Sequence, residues 1–228
     1  LNDGGIYASS DGGSTWSLQA LPATRFNTVG FAPDGRLYAI SDGPSTIGQE
    51  ALYRRDGTTW TALGPDQGTA FESELFALTF SEQDPALIML GGSDFGVAGF
   101  EATVWRSGDS GTSWTKAYEG SATYEDVQQI VILADGTDQR MVAAFSDLGQ
   151  AQTGGALRSI DGGHTWMDAS TGLPVNANAM SLSAWAWDPD TVFLADDAFT
   201  GGGLFKSVDG GATWNSTGYQ GRLRRVVT

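Results

Sequence analysis

Four stretches of the chain open a loop in the same way. Ser41-Asp42-Gly43, Ser93-Asp94-Phe95, Ser146-Asp147-Leu148 and Asp196-Asp197-Ala198 each set an aspartate at a loop mouth, and Asn2-Asp3-Gly4 reads as a fifth. A repeated carboxylate of this kind can do three things. Two of them about 5–5.5 Å apart suit a nucleophile and an acid on a glycosidic bond, and about 6.5–9.5 Å apart an acid and a base. Several converging oxygens suit Ca²⁺. One alone caps its own loop by accepting local backbone N–H groups. The last is the ordinary role, since function seldom needs one residue in every repeat. Ca²⁺ is the one cofactor such a ring could take, and no other is implied.

The same loops carry aromatic rings that could stack on sugars: Phe95, Phe100 and Phe199. With Asp94, Asp147 and Asp197 they make up the candidate ligand-binding set. Phe71, Tyr118, Tyr124 and Tyr219 are further rings, on the loops that lead into the next repeat. Trp105, Trp185 and Trp187 read as core residues on strands. Other chemistry is excluded. The chain has no cysteine and one histidine, His164, so thiolate sites, histidine triads and multi-histidine metal sites are absent. Its net charge of −15 repels nucleic acid and anionic membranes. No apolar run of about 18 residues is present to span a membrane.

The elements that position these loops are set by a repeated phrase. It reads Ser9-x-Asp11-x-Gly13-x-Thr15-Trp16, and returns around Asp109 and Trp114, Asp161 and Trp166, and Asp209 and Trp214. A shortened copy holds Asp56 and Trp60. The aspartates lie 45, 53, 52 and 48 residues apart. A period of about 50 marks an array of supersecondary units. Asp folds back on its own turn, Gly supplies positive φ, and Thr-Trp resumes a strand with a large apolar anchor. Each copy is thus a hairpin turn between the third and fourth strands of a unit. The first two strands of each unit turn at Pro33-Asp34-Gly35, Asp84-Pro85, Asp135-Gly136 and Asp188-Pro189-Asp190.

Four strands per period predict an all-β chain, a β-propeller of four-stranded antiparallel blades. The units run at about 1–21, 22–63, 64–118, 119–168 and 169–218, with one more first strand in 219–228. The reading gives four complete blades and parts of others, in one propeller domain or a segment of one. Box tryptophans Trp16, Trp60, Trp114, Trp166 and Trp214 are expected to be largely buried between blades. The terminal edge is expected to meet the remainder of a longer propeller or a partner chain.

The phrase resembles the Asp-box (BNR) repeat, which marks the propellers of sialidases, xyloglucanase-like glycoside hydrolases, sortilin-type receptors and photosystem assembly factors. The resemblance covers essentially the whole chain. It implies that the boxes are structural turns on the face away from the active site, and that the long loops form the working face. Xyloglucanase-like enzymes place two catalytic aspartates at similar loop mouths, which points to Asp42, Asp94 and Asp147. A sialidase clamp of three arginines fits less well: no Arg-Ile-Pro surrounds Arg25, and Arg54, Arg106 and Arg158 sit before boxes, where surface salt bridges are expected. Arg222, Arg224 and Arg225 cluster near the end of the sequence. The reading favoured is an extracellular binding or scaffold module, secreted or at the cell surface. It recognises a glycan or a protein through the long-loop face. The alternative is a glycoside hydrolase of xyloglucanase-like type using two mouth aspartates.

Overall fold

The turn phrase closes on itself as its residue types require. Asp109 Oδ1 accepts the Ser113 amide at 2.8 Å and Oδ2 accepts the Ser113 hydroxyl at 2.6 Å. Ser107 Oγ donates to Asp109 Oδ1 at 2.8 Å and accepts the Gly111 amide at 2.8 Å. Gly111 takes φ 85°, which suits a residue without Cβ. The same bonds recur around Asp11, Asp161 and Asp209. Hydroxyl and amide donors of Thr15 hold the Asp11 carboxyl down at about 2, and those of Ser113 do the same for Asp109. Asp56 differs. Its carboxylate is taken by Arg54 Nε at 3.0 Å and Thr61 Oγ1 at 3.1 Å, not by its own turn amides.

The computed structural model describes residues 5–19, 26–41, 51–64, 74–95, 100–120, 125–147 and 154–228. Strands β1 (Ile6–Ala8) and β2 (Ser17–Gln19) pair around the first phrase. Four antiparallel sheets of four strands follow, each in chain order. The first holds β3 (Phe26–Phe31), β4 (Leu37–Ser41), β5 (Ala51–Asp56) and β6 (Thr59–Ala62). The second holds β7 (Glu74–Phe80), β8 (Ile88–Phe95), β9 (Phe100–Ser107) and β10 (Thr115–Glu119). The third holds β11 (Glu125–Ile132), β12 (Met141–Asp147), β13 (Gly155–Ser159) and β14 (Met167–Asp168). The fourth holds β15 (Ala179–Ala184), β16 (Val192–Asp196), β17 (Gly203–Ser207) and β18 (Asn215–Gln220). No helix occurs among the described residues.

The core lies in the gaps between sheets. Met89 and Val104 of the second sheet pack with Val127, Met141 and Leu157 of the third. Leu133 and Val142 of the third pack with Leu182, Leu194 and Phe205 of the fourth. First strands stand side by side, with Thr79 Oγ1 donating to the Ile130 carbonyl at 2.7 Å and Ser181 Oγ to Gln129 Oε1 at 3.0 Å. They line a polar channel that includes a cavity of about 470 Å³. Every first strand carries a register shift at the same place: between Phe26 and Thr28, Leu75 and Ala77, Val127 and Gln129, and Ala179 and Ser181. Bulges of this kind re-aim side chains, and Phe76, Gln128 and Met180 line the channel.

Several expectations need correction. Trp214 is 2% exposed and Trp166 is buried, but Trp60 and Trp114 are half-buried and Trp16 is 63% exposed. The reason is that a phrase tryptophan reaches back to the preceding sheet: Trp214 Nε1 donates to the Ala169 carbonyl at 2.9 Å and Trp114 Nε1 to that of Leu63 at 2.5 Å. Among the described residues no sheet stands where Trp16 faces, and its Nε1 bonds back to Gly13 at 3.0 Å. Trp185 and Trp187 are not core. The Asp188 carboxylate accepts the Thr191 hydroxyl and Asp190 amide, which draws the turn back to Trp185 and leaves Trp187 88% exposed. Trp105 is half-buried. The mouth loops start later than expected, because β8 continues through Phe95 and β12 through Asp147. Residues 222–228 form no ladder. They run beside β15 through serine hydroxyls, with the Val226 amide donating to Ser181 Oγ at 3.2 Å and the Thr228 amide to Ser183 Oγ at 3.0 Å.

The turn bonds carry a testable cost. Asp209→Ala strands the Ala212 and Thr213 amides and the Ser207 and Thr213 hydroxyls. The expected loss is about 1–2 kcal/mol in urea unfolding, given that these donors are partly reached by water. Unchanged stability would mean that solvent replaces the carboxylate without cost.

Candidate functional site

Phrases and first turns share one end of the sheets: the Gly162 amide bonds the Gln139 carbonyl, and the Gly210 amide that of Asp190. The mouth aspartates lie at the other end. Asp94 is buried at the end of β8, where Lys116 Nζ of β10 donates to it at 2.7 Å. Lys116 also meets Glu119 at 2.6 Å and lies 5.2 Å from the Trp105 ring. Asp147 is buried at the end of β12, opposite Glu125 in register. Asp196 is fully buried and caps its loop, its Oδ1 accepting the Asn178 amide at 2.7 Å and the Ala198 amide at 2.9 Å. Burial pushes that carboxyl up. Asp197, next in the chain, accepts Arg222 Nε at 2.8 Å, Arg222 Nη2 at 3.0 Å and Arg224 Nε at 2.9 Å. Burial raises Asp197, but the two guanidinium groups outweigh it and hold the carboxyl below its ordinary value.

Asp94, Asp196 and Asp197 are each held by partners of their own. Asp94 and Asp197 sit in ion pairs, and Asp42 lies outside the described residues, as do Asp3, Phe71 and Tyr124. Phe100 is half-buried on β9, in register with Phe95. Tyr118 packs against the core. Arg106 and Arg158 make no salt bridge among the described residues: their Nε groups donate to the carbonyls of Gly162 and Gly210, each at 2.9 Å, and so tie neighbouring sheets. No three carboxylate or histidine groups converge as a metal site needs among the described residues.

One acid was passed over in the sequence. Asp126, on β11, is 2% exposed and faces Ser146 across the ladder. Burial raises its carboxyl to about 6, and the charges of Glu74, Asp147 and Glu125 add to the rise. The Ser93 hydroxyl opposes it, although Ser93 Oγ stands outside good hydrogen-bond geometry. The available signal was an acidic residue heading two successive first strands, Glu74 before Leu75 and Glu125-Asp126 before Val127.

Among the described residues, an open surface of this face lies on the fourth sheet. A groove of about 440 Å³ is lined by Pro174, Phe199, Phe205, Tyr219, Gln220 and Arg222, among others. Phe199 is 77% exposed and Tyr219 about half. The Arg222 guanidinium lies over the Phe199 ring at 5.6 Å, a cation–π arrangement anchored from below by buried Asp197. Exposed ring faces beside fixed polar donors are what a sugar ring needs: apolar C–H surface for the ring, hydrogen bonds for the hydroxyls.

Residues 1–190 match the DUF6242 beta propeller domain. The chain belongs to that family. No curated protein matches it. Among solved structures, this DUF6242 propeller is similar to a GH74 xyloglucanase from Xanthomonas campestris, with 18% identity and a TM-score of 0.65 over 95% of the chain. It is similar to an ancestral GH74 enzyme at 12% identity and a TM-score of 0.72, also over 95% of the chain. An α-L-arabinanase from Penicillium chrysogenum, solved with arabinobiose, matches over 97% of the chain at 16% identity and a TM-score of 0.54. The chain spans 35%, 28% and 70% of those three structures respectively. Identities this low speak for the fold: an all-β propeller of four-stranded antiparallel sheets.

Proposed function

We propose that the DUF6242 propeller is a carbohydrate-binding module, secreted or at the cell surface. Its turn phrases are Asp boxes that serve the scaffold, and the opposite face receives the ligand. The observation that carries this reading is the open groove on the fourth sheet, with the Phe199 and Tyr219 rings presented to solvent. The mouth aspartates support it from the other side. Asp94 and Asp197 are held in ion pairs, and Asp196 caps its own loop, so they fix loop geometry. The similar GH74 and arabinanase propellers are named for acting on glycans, which agrees with a sugar as the ligand class.

A second reading, a glycoside hydrolase, is favoured by Asp126. A buried carboxyl raised to about 6 beside Asp147 has the character of a general acid. One experiment separates the two. The chain is run in affinity gels against a panel of plant and bacterial polysaccharides, and the same mixtures are assayed for new reducing ends. Retardation by at least one polysaccharide, weakened about tenfold by Phe199→Ala or Tyr219→Ala, is expected, with no reducing ends. Reducing ends that vanish in Asp126→Asn establish the hydrolase instead. No retardation by any polysaccharide removes the binding reading.

A further inference from the structure

The charge around the groove is opposite to that of the protein. The chain carries 27 acidic and 12 basic residues, yet among the described residues the one charged side chain lining the groove is Arg222. Its partner, Asp197, is shared: one carboxylate accepts both Arg222 and Arg224, so two positive groups face one negative group. Arg224 and Arg225 line the separate cavity beside the first strands, so the cation of the groove itself is Arg222. The Asp197 bonds engage Nε and Nη2 of Arg222, and no bond to its Nη1 occurs among the described residues. A cation held rigidly by a buried carboxylate is ready to bind without losing side-chain freedom, and an anion meets no lining carboxylate to repel it.

We infer that the groove selects an acidic sugar, a hexuronic acid unit of an oligosaccharide, whose ring rests against Phe199 and Tyr219 and whose carboxylate meets Arg222. This rests on the carbohydrate-binding reading above and names its ligand class. The aromatic rings supply affinity for any pyranose, and the Arg222 guanidinium supplies the choice between acidic and neutral ones. Arg222 and Asp197 divide the work: Asp197 positions the guanidinium, and the guanidinium recognises the ligand.

Isothermal titration of the whole chain with a galacturonate trisaccharide and a neutral β-glucose trisaccharide tests this. The galacturonate is expected to bind about tenfold more tightly, with a preference that shrinks as salt rises. Arg222→Gln should abolish the preference and leave neutral binding in place. Phe199→Ala, at an exposed ring whose loss leaves the fold intact, should weaken both sugars together. Equal affinity for the two trisaccharides overturns the acidic-sugar inference and leaves a carbohydrate-binding module. Absence of binding by both overturns the acidic-sugar inference, and the polysaccharide panel decides the binding reading separately. If Arg222→Gln loses its melting transition, Phe199→Ala and the salt series on the unaltered chain decide: a preference that does not respond to salt refutes the role of charge.

Discussion

Gly172→Ala is expected to destabilise the protein by more than about 3 kcal/mol and to open the seam between the third and fourth sheets. Gly172 lies in the connector from β14 to β15 and takes φ 94°. A Cβ there comes to 1.9 Å from the Trp214 carbonyl oxygen and 2.9 Å from its carbon. Those atoms are backbone and cannot swing aside. They are also pinned: the Trp214 amide donates to the Thr171 carbonyl at 2.9 Å, and its indole to that of Ala169 at 2.9 Å. Two costs therefore add. One is the left-handed backbone, about 1–2 kcal/mol for a residue with Cβ. The other is displacement of the tryptophan that closes the seam. Gly201→Ala isolates the first cost, since Gly201 takes φ 81° with nothing near its Cβ position. Guanidinium unfolding of both variants checks the difference. A loss at Gly172 no greater than at Gly201 would show that the seam yields freely.

This seam also shows why some features were legible in the sequence and others were not. Asp109, Asp161 and Asp209 could be placed in their turns because every bond they make is local, to residues within four positions. The turn between β3 and β4 could be placed because its chemistry, Pro33-Asp34-Gly35, is local as well. Burial of a phrase tryptophan is not local. It depends on a neighbouring sheet some 45–51 residues away in sequence, through Ala169 for Trp214 and Leu63 for Trp114, so one motif gives a buried ring in one copy and an exposed ring at Trp16. The bulges leave no mark in the alternation, because one extra residue in a strand looks like a phase slip in any short run. The groove was half legible. Phe199 and Tyr219 were singled out, but the pairing of Asp197 with Arg222 and Arg224 spans 25 and 27 residues, and only the folded chain brings them together. Asp126 escaped because a carboxylate at a strand start ordinarily faces solvent.

Replacing that carboxylate is expected to make the protein more stable at neutral pH. Asp126→Asn should raise stability at pH 7 by about 2–3 kcal/mol and remove a pH dependence that the unaltered chain shows. The folded carboxyl titrates near 6 against 3.8 for the free group, so the folded state holds its proton over a range where the unfolded state has released it. Stability then falls as pH rises from about 4 to about 6, and the full penalty persists above that range. The cause is burial first, then the facing acids Glu74 and Asp147 and the neighbouring Glu125. Asparagine keeps the shape and carries no charge to desolvate. Urea midpoints at pH 4, 5, 6 and 7 for both proteins measure the effect: the curves should meet near pH 4 and diverge upward. A variant less stable than the parent at pH 7 would mean that the carboxylate is ionised and held by bonds, which reverses the sign. A gain in stability at Asp126 is first a statement about burial. Whether the carboxyl also does chemistry is decided by the reducing-end assay of Asp126→Asn and not by the size of the gain, because burial alone is enough to raise it.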